Sequence, residues 1–108
     1  MGSSKLDEDF RGKLISSVDE TVKDLLGVGV VNAFNAHLAA NGIERLDIPS
    51  KLDSFCSVLD ETFGVAARTI QRGIAMRFYQ KLGLAFELTN PSRLTEYVRE
   101  AQRRMKDR

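Results

Sequence analysis

Residues Gly64 to Leu84 read GVAARTIQRGIAMRFYQKLGL. This is the longest stretch of the chain that reads as one helix with a stop at each end. At about 100° per residue, Ala67, Ile70, Ile74, Phe78 and Leu82 fall on a single face, the pattern of a stripe turned toward a core. Gly64 and Gly83 bracket it as helix ends, because glycine enters the left-handed conformation at little steric cost. A second apolar set, Val65, Met76 and Tyr79, lies on the far side with Arg68 and Arg72 beside it. A helix that is apolar on two faces is packed on two sides. Two readings follow: a central helix of a small bundle, or a helix whose second face meets a partner. Ala66 and Gly73 form a third, very small surface that another backbone could approach closely.

Working outward, the preceding segments read as three further helices. From about Asp7 to Leu26, Phe10, Leu14, Val18, Val22 and Leu25 repeat at three or four residues, with Ile15 and Leu26 widening the stripe. Asp7, Glu8 and Asp9 stand at its start, where negative charge suits the helix dipole. Gly27 stops this helix, and Gly29 is expected to make the corner into the next one. That second helix spans about Val30 to Asn41, with Val30, Phe34 and Leu38 inward and His37 at the stripe's edge. Residues 43–49, IERLDIP, read as a connector lying on the core through Ile43, Leu46 and Ile48. Ile48 is expected to be extended because Pro49 follows it. Ser50 and Asp53 resemble a capping box for a third helix that buries Leu52, Phe55, Leu59 and Phe63. Cys56 reads as a small buried apolar side chain.

Beyond the central helix, residues 84–88 alternate in strand fashion but are too few to make a sheet. They predict an extended segment packed through Leu84 and Phe86. Asn90 and Pro91 have the chemistry of an N-cap and first turn for a last helix running to about Lys106. In it, Leu94, Tyr97, Val98, Ala101 and Met105 face inward, and Arg99, Arg103 and Lys106 face out. The expected fold is therefore all-α: a bundle of about five helices over residues 7–106, with a short extended segment before the last. Residues 1–6 read as a disordered or tag-derived start and are set apart from it.

At 108 residues the chain is long enough for one core without staples. No apolar run approaches the roughly 20 residues of a membrane span, and one cysteine with one histidine cannot build a Cys/His zinc site. No phosphate loop, HExxH, CxxC or EF-hand spacing occurs. No catalytic residue, metal ligand or cofactor site is predicted. Charge is unevenly spread: residues 1–63 hold 6 Lys/Arg against 11 Asp/Glu, a net of −5, and residues 64–108 hold 10 against 4, a net of +6. Neither half is long enough to fold alone, so the asymmetry predicts acidic helices packed beside basic ones.

One set of positions also carries a family likeness. Phe63-Gly64, Ala66-Ala67, Ile70, Ile74, Tyr79, Lys81-Leu82-Gly83-Leu84 and Phe86 are joined by Glu96-Tyr97-Val98 and Ala101 in the last helix. Fainter echoes are His37-Leu38, Gly42 and Ile48-Pro49. Over most of residues 30–102 the chain resembles the archaeal Nitrososphaera output domain family, departing from it at Phe78, where a leucine or similar residue is expected. The resemblance implies an archaeal, cytoplasmic, all-helical domain used in signal output. It transfers no catalytic residue, because the matched positions are packing positions. The functional expectation is a non-catalytic regulatory or protein-interaction domain, with a protein partner or a second copy meeting Arg68, Arg72, Met76 and Tyr79. The alternatives are nucleic-acid binding through Arg99, Arg103 and Lys106, and a small enzyme of unassigned reaction.

Overall fold

Residues 3–87 and 93–106 are described by the computed structural model, and they form five α-helices and one 3-10 helix with no strand among them. These are α1 (Ser3–Leu26), α2 (Val28–Ala40), a 3-10 helix (Arg45–Lys51), α3 (Leu52–Phe63), α4 (Ala66–Leu82) and α5 (Leu94–Lys106). The expected all-α bundle is what the chain adopts. None of the described helices is long and apolar enough to cross a membrane.

The central position of α4 follows from its stripe. Ala67, Ile70, Ile74, Phe78 and Leu82 are all buried, and α4 packs on α1, α3 and α5. Gly64 (φ 59°) and Gly83 (φ 73°) both take positive φ and close the helices they follow, α3 and α4. Edge-on ring contacts knit the core on both sides. Phe10 meets Phe78 at 4.9 Å, and Phe34 meets Phe55 at 6.1 Å.

The most extensive helix contact is α1 on α4. It depends on Gly73, which α1 fills from within the chain, whereas Ala66, the other half of the predicted small surface, is exposed. A Cβ at Gly73 would stand 2.9 Å from Thr21 Cγ2. Thr21 is fully buried, and its hydroxyl is doubly engaged: Oγ1 donates to the Ser17 carbonyl at 2.7 Å and accepts from Arg77 Nη1 at 3.2 Å. The acidic side of α1 faces the basic side of α4. Arg77 pairs with Asp24 at 2.6 Å and Lys81 with Glu20 at 2.8 Å, while Asp19 takes Arg45 of the 3-10 helix. Two of the basic half's cations are therefore paired with the acidic half inside the fold. These pairs are partly exposed, so each contributes only about 0–1 kcal/mol.

Several local expectations are corrected. α1 begins at Ser3, ahead of Asp7, and Leu25 is 48% exposed, lying at the edge of the α4 contact near Gly73 and not within the core. The corner after α1 is Gly27 (φ 94°), leaving Gly29 inside α2. Starting the helix earlier turns Val30 outward and packs Val31 on the core instead. The 43–49 connector is not extended. Ile43 and Ile48 are buried, but Leu46 is exposed and Pro49 sits inside a 3-10 helix. Full burial of Ile48 outweighs its pre-proline preference. The Ser50–Asp53 box does not form: α3 has no side-chain cap, and Ser50 Oγ instead accepts from Arg11 Nη2 at 3.0 Å. Leu84 and Phe86 pack on the core from an irregular segment, as expected. The predicted Asn90–Pro91 cap lies outside the described residues.

Two glycines of opposite surroundings test the α1–α4 contact. Gly73→Ala is expected to lower stability by about 1–3 kcal/mol, since Thr21 is held and cannot retreat. Gly12→Ala, in α1 with nothing within 4 Å of its added Cβ, is expected to raise stability by about 0.5–1 kcal/mol. Urea unfolding of the two variants reads both signs.

Candidate functional site

The solvent side of α4 and the outer face of α5 hold the residues that the sequence nominates. On α4, Arg68 and Arg72 are exposed, Met76 is 42% exposed, and Val65, just before the first turn, is 92% exposed. At about 100° per residue these four side chains fall within roughly 80° of the helix circumference. Tyr79 shares that arc but not its surroundings. It is buried, and its hydroxyl donates to the Tyr97 carbonyl at 2.7 Å. Phe86 and Tyr97 stand edge-on to its ring at 5.4 and 6.2 Å, and the Arg104 guanidinium lies 5.8 Å from the ring centroid. Tyr79 is therefore a core residue and not part of an outer surface. α5 begins beside Gln71 and, with residues 84–87, covers Tyr79, while Arg68, Arg72 and Met76 stay exposed. Val65 takes its place on the exposed edge. Its signal in the sequence was its position on the Met76 arc, directly after a helix-ending glycine.

The electrostatics of α4 are lopsided in the same way. The helix holds Arg68, Arg72, Arg77 and Lys81 and no acid. α1 neutralises the last two. Among the described residues, Arg68 and Arg72 make no ion pair and no hydrogen bond. Arg68 also sits in the first turn of the helix, where the dipole disfavours positive charge. The fold thus leaves two adjacent guanidiniums without a counter-charge, directly beside exposed Val65 and Met76.

The basic face of α5 is more balanced. Glu100 accepts from Arg103 Nε and Arg104 Nε, both at 3.0 Å. These hydrogen bonds, Arg103 first, hold the Glu100 carboxyl at about 2, well below the carboxylate range. Arg104 also donates to the Ala85 carbonyl at 3.0 Å, so it serves the fold. Of the three proposed phosphate contacts, Arg103 is held by Glu100, while Arg99 and Lys106 are exposed. All three line a shallow depression of about 470 Å³ that also contains Glu96 and Glu100. A second groove of about 370 Å³ runs between the start of α3 and α5, with Ser50, Ser54 and Thr95 on its walls. Of its two cations, Lys51 donates to the Gly42 carbonyl at 2.8 Å and Arg99 is shared with the first depression.

Interior polar groups serve packing. Gln71, which the sequence did not single out, is the junction of three helices. Its Oε1 accepts the Leu94 N–H at 3.0 Å, capping the first residue of α5, and its Nε2 donates to Asp60 of α3 at 3.5 Å. Nothing in a single glutamine signals such a role, because both partners come from distant segments. Cys56 is buried as expected, and burial, with Asp60 adding, pushes its thiol up to about 12. His37 is exposed on α2. Among the described residues no three His, Cys, Asp or Glu side chains gather as a metal site.

Comparison with family models, curated proteins and solved structures finds no match, so the family likeness rests on the residues quoted for it.

Gln71→Leu is expected to cost about 1–3 kcal/mol in thermal or urea unfolding, because it leaves the buried Leu94 N–H without its acceptor. The Cys56 thiol is expected to resist an aromatic disulfide reagent at pH 8 in the native chain and to react fully once the chain is unfolded in urea. Its folded pKa lies above the unfolded value of 9.0, so stability is unaffected below pH 9 and falls as pH rises from there toward 12. Rapid native labelling at pH 8, or stability that rises above pH 9, would contradict this environment.

Proposed function

We propose that the chain is a regulatory protein-interaction domain of the cytoplasm, without catalysis, whose working surface is the Val65–Arg68–Arg72–Met76 edge of α4. The observation that carries this reading is the contrast within one helix. The C-terminal half of α4 has every cation paired and its tyrosine buried. Arg68 and Arg72, nearer the helix N-terminus, are unpaired and share one arc with exposed Val65, just before the helix, and exposed Met76, just past its midpoint. Exposed apolar groups next to arginine are the composition of the energetic centre of protein interfaces. The resemblance to an archaeal output domain points to the same class of role. Phosphate binding by α5 has less support, since Glu96 and Glu100 share its face with Arg99, Arg103 and Lys106.

The reading is tested by photo-crosslinking in the cells that make the protein, with the reactive residue placed at position 76 of α4 or at exposed position 36 of α2. A discrete adduct from 76 and none from 36 is expected. Arg72→Ala/Met76→Ala is expected to remove that adduct, assayed from a reactive residue at 65, while changing stability by no more than about 0.5 kcal/mol. No adduct, or equal adducts from both positions, sinks the reading. Unfolding of the double variant would show the two side chains to be core.

A further inference from the structure

We propose that the open edge of α4 recognises an acidic amphipathic helix of another protein, its apolar stripe on Val65 and Met76 and its carboxylates on Arg68 and Arg72. This rests on the interaction reading above and specifies the partner's chemistry. Charge decides the sign of the partner. α4 has four cations and no acid, and α1 supplies carboxylates to Arg77 and Lys81 alone. The two arginines left over stand one helical turn apart, so their Cβ atoms are about 5–6 Å apart. A facing helix with Asp or Glu at i and i+4 presents carboxylates at the same interval. Each arginine can hold one of them through two parallel N–H donors.

Shape decides the class of partner. From Val65 to Met76 the edge spans eleven residues, roughly 16 Å or three turns. Val65, with most of its surface in water, and Met76, with an adaptable thioether, place an apolar group at each end of that length, with Arg68 and Arg72 between them. A helix laid along that edge reaches both ends with an apolar stripe at i, i+4, i+7 and i+11. A nucleic-acid backbone would find only two cations here and would cover Val65 and Met76 with charged phosphate. A second copy using this same face across a two-fold axis would set Arg68 and Arg72 against their own counterparts, a like-charge contact that disfavours pairing.

The test is titration of the full ¹⁵N-labelled chain with a helix-stabilised peptide of roughly 16 residues, long enough to hold three or more turns. The peptide has one leucine stripe flanked by glutamates at i and i+4. It is compared with a Glu→Lys twin, a Leu→Ser twin and a random DNA duplex. The expected result is saturable shifts confined to the amides of residues 65–76, with the parent peptide at least about tenfold tighter than either twin. Arg68→Glu/Arg72→Glu is expected to weaken binding by about tenfold or more, and Met76→Ser by several-fold, with melting temperatures within a few degrees of the parent chain. Arg68→Gln/Arg72→Gln repeats the comparison should charge reversal disturb folding. Absence of saturable shifts at millimolar peptide overturns the proposal, as does equal binding of the lysine twin. A doubling of mass with concentration that Met76→Asp abolishes, or duplex DNA shifting residues 65–76 while the peptide does not, also overturns it. If the peptide fails while crosslinking at position 76 still yields an adduct, the partner chemistry is wrong and the interaction surface stands.

Discussion

The bundle depends on how closely α1 approaches α4. Gly73 offers no side chain, so the buried methyl of Thr21 comes within 2.9 Å of where a Cβ would be. Everything else along that seam is set by this closeness. Arg77 and Lys81 reach Asp24 and Glu20 because the two helix surfaces are in contact, and Arg77 is near enough to donate to the Thr21 hydroxyl as well. Close packing of this kind tolerates little change in volume, because the atoms around the contact have nowhere to go. The ion pairs add registry more than stability, being partly exposed to water.

A second constraint acts at the other end of α4. Gly83 turns the chain so that Phe86 and α5 come back over Tyr79. The tyrosine hydroxyl finds the Tyr97 carbonyl, and Arg104 ties the returning segment through the Ala85 carbonyl. Gln71 does the corresponding work at the start of α5 by accepting the Leu94 N–H. The last helix is thus fixed by buried polar contacts as well as by Leu94, Val98 and Ala101 in the core. Its placement divides one face of α4 into a covered half and an open half, and the open half is where the unpaired arginines stand.

Helix count, the central role of residues 64–84 and the core stripes were legible because they depend on local periodicity, and burial follows periodicity when one face must leave water. Ala67, Ile70, Ile74, Phe78 and Leu82 needed no tertiary information to be identified. The errors fell where short-range preference competes with distant packing. Pro49 favours an extended Ile48, but the core takes it in a 3-10 turn. Gly29 looked like a corner, but Gly27 makes it. Ser50 had the chemistry of a cap, but Arg11 claims its hydroxyl from 39 residues away.

By itself the sequence determined an all-α bundle, the residues that would fill it and the uneven charge of its two halves, since each is a property of composition and of spacing along one helix. Only the tertiary structure decided what that charge does. Arg68, Arg72, Arg77 and Lys81 are equivalent as letters, and two are neutralised and two left open because Arg77 and Lys81 lie on the side of α4 that α1 packs against, while Arg68 and Arg72 lie on the opposite side. The same holds for Met76 and Tyr79, three residues apart on one arc. One faces water and the other is buried, because Phe86 and Tyr97 close over the Tyr79 ring and leave Met76 outside.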